Sequence, residues 1–255
     1  MNAINPRPVD GVSLPIPPEN LHCVGDGDFL AIGREFLGHL IQHAALTPTD
    51  TVLDVGCGVG RIAVQLTQHL APEGQYIGFD VGAAGIAWCQ HRVSPLHPGF
   101  AFMHLNLFHP LYNPAGTLSA THQRWPVPGA SIDVVFLTSV FTHLTAAETR
   151  HYLREIARVL KPGGRCLGTW FLLDEARMPE GADYRLSFAE GEDGAFYDTL
   201  TAVPTAAVAY RTDWLRTEVK RVGLDCTILP GHWRAAESAV SYQDMTILRR
   251  PERCG

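Results

Sequence analysis

The sequence predicts an α/β protein built on a mainly parallel sheet that helices cover on both faces. Apolar segments with strand patterning alternate with segments of helical period, and the first strand–helix turn is rich in glycine. Two strand patterns without a helix between them end the chain. Alternating strands and helices favour parallel pairing, because each strand returns through a helix. A chain of 255 residues, 46% of them hydrophobic, is long enough to bury the core of one such domain.

The individual elements follow from periodicity. A first helix is predicted at 28–46, where apolar residues recur at helical spacing and Asp28 is suited to cap the first turn. Strand patterns follow at 51–55, 75–80, 100–104, 132–138 and 165–172. The helical patterns between them lie at 60–70, 82–92 and 146–160.

The helix at 146–160 has marked boundaries. Thr145 and Glu148 form a capping-box pattern, in which each side chain binds the other residue's backbone N–H. The helix should end at the run Lys161-Pro162-Gly163-Gly164, because proline and glycine continue a helix only at a cost.

The C-terminal part departs from the alternation. A helix is predicted at 213–222, and strands at 224–229 and 240–248 follow it without a helix between them. Strands connected in this way pair antiparallel, so we expect an antiparallel pair to complete the sheet.

We expect one domain over 28–255, preceded by an extended N-terminal arm or lid at 1–27 that is rich in proline. Two long segments, 108–129 and 173–211, fit no predicted sheet element. Long segments of this kind in α/β enzymes usually shape a substrate pocket, so both are predicted to be substrate-shaping insertions.

Composition narrows the functional classes. The formal net charge is −6 and no Lys/Arg cluster occurs, so we expect no nucleic-acid partner. Six cysteines without a Cys-x-x-Cys pair predict buried thiols in a reducing compartment. No apolar run is long enough to span a bilayer and the start does not resemble a signal peptide, so a cytoplasmic protein without a membrane span is expected.

The stretch VLDVGCGVGR, at 52–61, places Gly56, Gly58 and Gly60 at alternate positions after a predicted strand. A dinucleotide site uses Gly-x-Gly-x-x-Gly, and Arg61 stands where its third glycine belongs. A phosphate-binding P-loop needs Gly-Lys-Ser/Thr, which is absent here. A simple strand–helix turn is the alternative interpretation.

Asp80 ends the second predicted strand, in YIGFD. A carboxylate at this place can accept two hydrogen bonds from a ribose diol. An Asp at a strand end also serves as a turn or helix cap. The spacing from the glycine loop favours the ribose interpretation.

Four stretches resemble the successive motifs of the class I S-adenosylmethionine-dependent methyltransferases: VLDVGCGVGR, YIGFDVG, IDVVFLTSVFTHL and REIARVLKPGGRCLGTWF. Their order and spacing match across 51–172, about half the chain. The resemblance implies a Rossmann-like, doubly wound sheet of seven strands. It also implies an enzyme that uses S-adenosylmethionine and forms S-adenosylhomocysteine.

The resemblance further implies which residues bind the cofactor. Gly56, Gly58 and Gly60 would let the backbone approach it, Asp54 would face its amino-acid part, and Asp80 would hold the ribose hydroxyls. The other implied positions are Val81, Asn106 and Leu107 around the adenine and Leu137 and Thr138 beside the methionine amine. Asn106 stands where the family often has an acidic residue, and its amide oxygen is a weaker acceptor.

A hydroxyl acceptor must also lose its proton, and a histidine with a pKa near neutral suits that task. His143, in TSVFTHL, follows the strand end where the resemblance places the methionine part. We therefore predict His143 as the catalytic base, with hydrogen bonding to nearby backbone as the alternative role.

The acceptor pocket is predicted from aromatic residues outside these motifs. His232, Trp233 and Tyr242 near the C-terminus and Tyr197 in the second insertion are candidates to line it, with aromatic packing as the alternative. The Asn/Asp-Pro-Pro-Tyr/Phe motif of enzymes that methylate adenine or glutamine is replaced by TSVF. No acidic cluster for magnesium lies nearby, so we expect no metal cofactor.

We therefore expect a small-molecule acceptor, with O-methylation favoured over N-methylation. A nicotinamide-dependent oxidoreductase and a non-catalytic S-adenosylmethionine-binding subunit are the alternatives from other classes. The sequence leaves the acceptor and the oligomeric state open, a homodimer included.

Overall fold

The computed structural model describes residues 14–21, 27–175 and 178–252. The chain divides into two compact units, residues 1–105 and 106–255, called the first and the second unit below. Most of the predicted N-terminal arm, at 1–13 and 22–26, lies outside the described residues. Within the described part, no helix is long and apolar enough to cross a membrane.

The first unit alternates helices and strands as predicted. In chain order its elements are α1 (Phe29–His43), β1 (Thr51–Val55), α2 (Arg61–Leu66), β2 (Gln75–Asp80), α3 (Ala83–Arg92) and β3 (Phe100–His104). The strands β1, β2 and β3 are parallel, with β2 in the middle. All three strands have the predicted bounds, and the helices are shorter than predicted.

The helix α1 begins and packs for identifiable reasons. The Asp28 carboxylate caps it by accepting a hydrogen bond from the Ala31 N–H at 2.5 Å. Gly33 lies where a Cβ would come 2.5 Å from the Arg61 carbonyl oxygen, so only glycine allows α1 to approach α2 this closely.

The second unit contains the remaining elements of the fold. They are β4 (Ile132–Leu137), α4 (Ala146–Val159), β5 (Leu160–Leu173), β6 (Phe188–Glu190), β7 (Ala195–Asp198), β8 (Val208–Arg211), α5 (Thr212–Arg221), β9 (Asp225–Leu229) and β10 (Asp244–Arg249). β5 is parallel to β4 and β8, whereas β10 is antiparallel to both β5 and β9. The predicted fold class, including the antiparallel C-terminal pair, is confirmed.

The helix α4 ends at Val159, and β5 begins earlier than predicted. Ile132 pairs with Leu160, but Val134 pairs with Arg165, so the Pro-Gly-Gly run forms an irregularity inside the strand. Gly163 has a φ of +77°, a left-handed conformation that glycine adopts without strain. At its other end α4 has the predicted capping box between Thr145 and Glu148.

The expectation that 173–211 fits no sheet element is wrong. β6 and β7 form an antiparallel hairpin there, and β8 pairs in parallel with the end of β5. These strands are only three or four residues long, too short for a periodic sequence signal. Ten strands are thus described where the resemblance implies seven. In 108–129 the described chain has isolated bridges but no named helix or strand.

The four cysteines within the described residues are free thiols; three of them, Cys57, Cys89 and Cys166, are buried, and Cys226 is half-buried. Cys23 and Cys254 lie outside the described residues. In the part of the chain that is described, no group of three or more His, Cys, Asp or Glu side chains is arranged to hold a metal ion.

Candidate functional site

The glycine loop between β1 and α2 is held in a conformation that requires glycine. Gly56, Gly58 and Gly60 have φ values of +77°, +53° and +71°. A side chain in this left-handed region costs about 1–2 kcal/mol per residue. At Gly58 a Cβ would meet nothing within 4 Å, so the loop presents bare backbone to open space.

Asp80 ties this loop to the end of β2. Its Oδ2 accepts a hydrogen bond from the Gly58 N–H at 2.8 Å, and its Oδ1 accepts one from the Gly82 N–H at 2.7 Å. Burial raises the pKa of Asp80, and these backbone donors oppose the rise. A carboxylate has about four lone-pair sites, so Asp80 keeps acceptor capacity beyond its backbone donors. Beyond Asp80, the Val81 carbonyl accepts a hydrogen bond from Nε2 of His104 at 3.1 Å.

Asp54, the carboxylate of β1, is 2% exposed. Its Oδ2 accepts a hydrogen bond from the Tyr76 hydroxyl at 2.7 Å. Its Oδ1 is buried and has no hydrogen-bond partner in the described structure. An unpartnered buried carboxylate oxygen is costly, so this atom marks a place where a donor or cation would bind favourably.

Sequence reasoning missed Tyr76, although a signal was present. Tyr76, Gly78 and Asp80 alternate along β2 and therefore share one face of the strand. Asp54 pairs with Gly78 in the register of β1 with β2. A Cβ on Gly78 would come 2.7 Å from the Tyr76 hydroxyl oxygen, so glycine leaves the space that this hydroxyl occupies.

In the second unit, the predicted adenine-side residues belong to a small polar network. Asn106 donates from Nδ2 to Thr117 Oγ1 and accepts at Oδ1 from Asn113 Nδ2, both at 3.1 Å. Leu107 is buried, and its carbonyl accepts from Asn113 Nδ2 at 2.9 Å. The Asn106 amide oxygen thus keeps one lone pair beyond its bond to Asn113.

The end of β4 carries the next two predicted residues. Leu137 is fully buried, and Thr138 is partly exposed just beyond the strand. The following residue, Ser139, has a φ of +54°, which is uncommon for a non-glycine residue. Its N–H donates to Thr169 Oγ1 at 2.7 Å, which helps to hold the turn. No sequence pattern predicted this strained position.

His143 has a defined tautomer. Its Nδ1 lies 3.1 Å from the Thr205 carbonyl oxygen, which can only accept, so Nδ1 carries the proton. Its Nε2, 3.2 Å from the Tyr112 hydroxyl, therefore accepts from that hydroxyl. Burial lowers the pKa of His143 to about 4, so the ring is neutral near pH 7.

His109 holds this arrangement in place. It donates from Nε2 to the His143 carbonyl at 3.1 Å. Its Nδ1 accepts from the N–H groups of Leu111 and Tyr112 at 3.2 and 3.3 Å. Sequence reasoning did not connect His109 or Tyr112 with His143, because more than 30 positions separate them in the chain.

The four predicted acceptor-pocket residues have different surroundings. Trp233 is 1% exposed, contacts Phe171 with ring centroids 5.1 Å apart and donates from Nε1 to Asp244, so the packing alternative describes it. Tyr242 is 42% exposed and also contacts Phe171, at 6.3 Å between centroids. His232 is exposed. Tyr197 donates to Asp193 Oδ2 at 2.6 Å.

Comparison with known proteins finds similarity to methyltransferases. Residues 53–168 match a family model described as "Methyltransferase domain". The ubiquinone/menaquinone biosynthesis C-methyltransferase UbiE of Xanthomonas campestris pv. campestris is 28% identical over 148 residues, which are 57% of this chain and 52% of that protein. The chain spans about half the length of the curated relatives it matches.

Two solved structures show the same fold at low identity. A SAM-dependent methyltransferase from Methanosarcina mazei is 18% identical with a TM-score of 0.53, covering 84% of this chain and 98% of that one. The [4+2]-cyclase SpnF is 19% identical with a TM-score of 0.54, covering 87% of this chain and 82% of that one.

Proposed function

We propose that this chain, whose residues 53–168 match the methyltransferase-domain model, is a class I enzyme that transfers a methyl group from S-adenosylmethionine to a small molecule. The observation that carries the proposal is the bond between Asp80 and Gly58, which fixes a side-chain-free loop beside a carboxylate. This combination suits a nucleoside, because a ribose diol can donate to the carboxylate while the other atoms approach the backbone.

The residues of the first unit fit S-adenosylmethionine in particular. Asp80 would accept from the ribose hydroxyls, and Val81 would lie against the adenine. The unpartnered Oδ1 of Asp54 suits the ammonium of the amino-acid part, because a cation offsets the cost of the buried carboxylate. Asn106, Leu107, Leu137 and Thr138 are proposed to complete the site.

S-adenosylmethionine supplies an electrophilic methyl carbon bonded to a sulfonium, and the protein's part is to place the acceptor in line with that bond. We assign to His143 the removal of the proton from a hydroxyl acceptor. Its Nε2 has no proton of its own and accepts one hydrogen bond, from Tyr112. The ring is neutral at pH 7 and so can accept a proton, but its pKa of about 4 makes it a weaker base than the near-neutral histidine that the sequence predicted.

A small, uncharged or cationic acceptor is favoured over a nucleic acid by the net charge of −6. His232, Tyr242 and Tyr197 remain the proposed acceptor contacts. The UbiE relative is named a C-methyltransferase, an enzyme that methylates carbon. The test must therefore also determine which atom of the acceptor is methylated. The free thiols are compatible with the cytoplasmic location that we propose.

The test has two independent parts. Calorimetric titration with S-adenosylmethionine, S-adenosylhomocysteine and NAD should show binding of the first two and none of NAD; preference for NAD would overturn the proposal. Release of S-adenosylhomocysteine is then measured against fractionated metabolite pools. Tight cofactor binding without release from any fraction would identify a non-catalytic protein, and the fold similarity to a cyclase makes this second part necessary.

A further inference from the structure

The Asp54–Tyr76 pair is a buried acid with one satisfied and one unsatisfied oxygen. Tyr76 donates to Oδ2, while Oδ1 has no partner among the described residues. The Tyr76 ring is fixed by stacking on Phe100 of β3, with ring centroids 4.7 Å apart and planes 14° apart. This stacking restricts the phenol ring, so the hydrogen bond from Tyr76 favours one orientation of the Asp54 carboxyl.

The charged and titratable groups around Asp54 in the first unit do not favour its ionised form. Besides Tyr76 on β2 they are Asp80 at the end of β2, Cys57 in the loop and Cys89 on α3. Asp80 repels a second negative charge, and burial raises the pKa of both thiols so that they stay neutral. Burial also raises the pKa of Asp54 well above its ordinary value, which the Tyr76 hydrogen bond only partly opposes.

We propose that Asp54 and Tyr76 form a proton-linked site for the ammonium of the cofactor's amino-acid part. In the ligand-free protein Asp54 carries a proton; when the ammonium binds, the O–H bond of Asp54 breaks, the proton passes to solvent and the carboxylate pairs with the cation. The inference rests on the proposed function, in which the cofactor is S-adenosylmethionine. Tyr76 is a positioning residue, because it acts through Asp54.

The sign of the pH dependence follows from this exchange. A cation favours the ionised carboxylate, so the pKa of Asp54 is lower with the ligand bound than without it. Between those two pKa values binding releases about one proton, and affinity falls about tenfold for each pH unit of acidification. Above both values affinity no longer depends on this group.

The experiment is calorimetric titration with S-adenosylhomocysteine in buffers of different ionisation enthalpy, between about pH 5 and pH 8. The matched ligand is 5′-methylthioadenosine, which keeps the adenosine and lacks the amino-acid part. We expect S-adenosylhomocysteine to release about one proton more than 5′-methylthioadenosine at the pH of maximal release. Any proton that Asp80 loses on ribose binding appears with both ligands and cancels.

Two variants separate positioning from a structural role. Asp54→Asn keeps an acceptor for Tyr76 and should abolish the extra proton release. Tyr76→Phe removes the hydrogen bond that opposes the raised pKa of Asp54, so the pH below which S-adenosylhomocysteine affinity falls should move upward. Tyr210→Phe, which removes another buried tyrosine hydroxyl with its bonds to Thr149 and Leu144, is the control and should leave that pH unchanged.

Equal proton release with the two ligands, or extra release that persists in Asp54→Asn, would overturn the inference while leaving the proposed function intact. A midpoint pH that stays the same in Tyr76→Phe would remove Tyr76 from it. Absence of binding by both S-adenosylmethionine and S-adenosylhomocysteine would instead overturn the proposed function, and this inference with it.

Discussion

The Tyr112 hydroxyl lies 3.2 Å from Nε2 of His143, the ring nitrogen that carries no proton. This pairing gives the insertion at 108–129 a direct contact with the proposed base. Any acceptor that delivers a proton to His143 must either displace the Tyr112 hydroxyl or pass its proton through it. Tyr112 is thus a candidate contact for the acceptor that periodicity and spacing did not reveal.

Replacement of His143 by Gln should slow methyl transfer to a hydroxyl acceptor by about 10²–10⁴-fold, the usual contribution of a general base. Affinity for S-adenosylmethionine should stay unchanged, because the proposed cofactor contacts lie elsewhere. Turnover is measured with an acceptor from the metabolite screen, and affinity by calorimetry. Unchanged turnover would remove His143 from the mechanism.

Stability should fall on acidification because of the same residue. The pKa of His143 is about 4 in the folded chain and near 6.5 when unfolded, so between these values the unfolded state binds more protons. Stability gained from the neutral ring is complete above pH 6.5 and is lost as pH falls toward 4. From pH 7 to pH 5 the loss amounts to about 2 kcal/mol.

Urea unfolding at pH 7 and pH 5 checks this expectation. The His143→Gln variant has no such group and should lose about 2 kcal/mol less than the parent over that interval. Gln68→Ala, at an exposed position that does not titrate, serves as the control and should follow the parent. An identical pH response in parent and His143→Gln would show that His143 titrates normally.

Asp80→Ala should weaken S-adenosylmethionine binding by about 1.5–3 kcal/mol, the scale of hydrogen bonds to a charged group. The same change removes the acceptor for Gly58 and Gly82, so thermal unfolding is measured in parallel. Asp80→Asn keeps one acceptor oxygen and should lie between Ala and the parent in affinity. Full affinity in Asp80→Ala would mean that the ribose binds elsewhere.

Local patterning was sufficient for much of the fold and not for the contacts between distant segments. Each strand of the first unit begins directly after an Asp or a Gly, and the predicted limits of all three hold. The Tyr76–Asp54 contact depends on the register of β2 with β1, which no single segment encodes. Similarly, a tryptophan such as Trp233 can line a pocket or pack in the core. Only its bond to Asp244 shows that it belongs to the core.

Asp244 should be among the residues whose loss costs most stability. It is 0% exposed, accepts from the Leu172 and Gly231 N–H groups and from Trp233 Nε1, and lies 2.9 Å from Arg234 Nε. Asp244→Ala leaves these donors buried without an acceptor, which should lower the free energy of unfolding by about 3–5 kcal/mol.

Urea denaturation measures this loss. The control is Asp213→Ala, which breaks an exposed pair with Arg211 and should cost under about 1 kcal/mol. Similar losses in the two variants would contradict a buried network around Asp244.

The last prediction separates strain in the glycine loop from its role in binding. Gly58 and Gly223 have φ values of +53° and +74°, and a Cβ at either position would meet nothing within 4 Å. Alanine at each position should therefore lower the free energy of unfolding by a similar amount, about 1–2 kcal/mol, from backbone strain alone. Gly223 follows α5 in the second unit, outside the proposed cofactor site, so Gly223→Ala should keep full affinity for S-adenosylmethionine.

At Gly58 the added methyl group would occupy the open space into which the cofactor is proposed to fit. Gly58→Ala should therefore weaken S-adenosylmethionine binding at least about tenfold, equivalent to 1.4 kcal/mol or so, beyond any effect on stability. Thermal unfolding and calorimetric titration of the two variants, side by side, provide the measurement. Equal affinities at equal stability would show that the loop is only a turn between β1 and α2, since a loop that meets the cofactor through its backbone cannot accept a methyl group there without losing affinity.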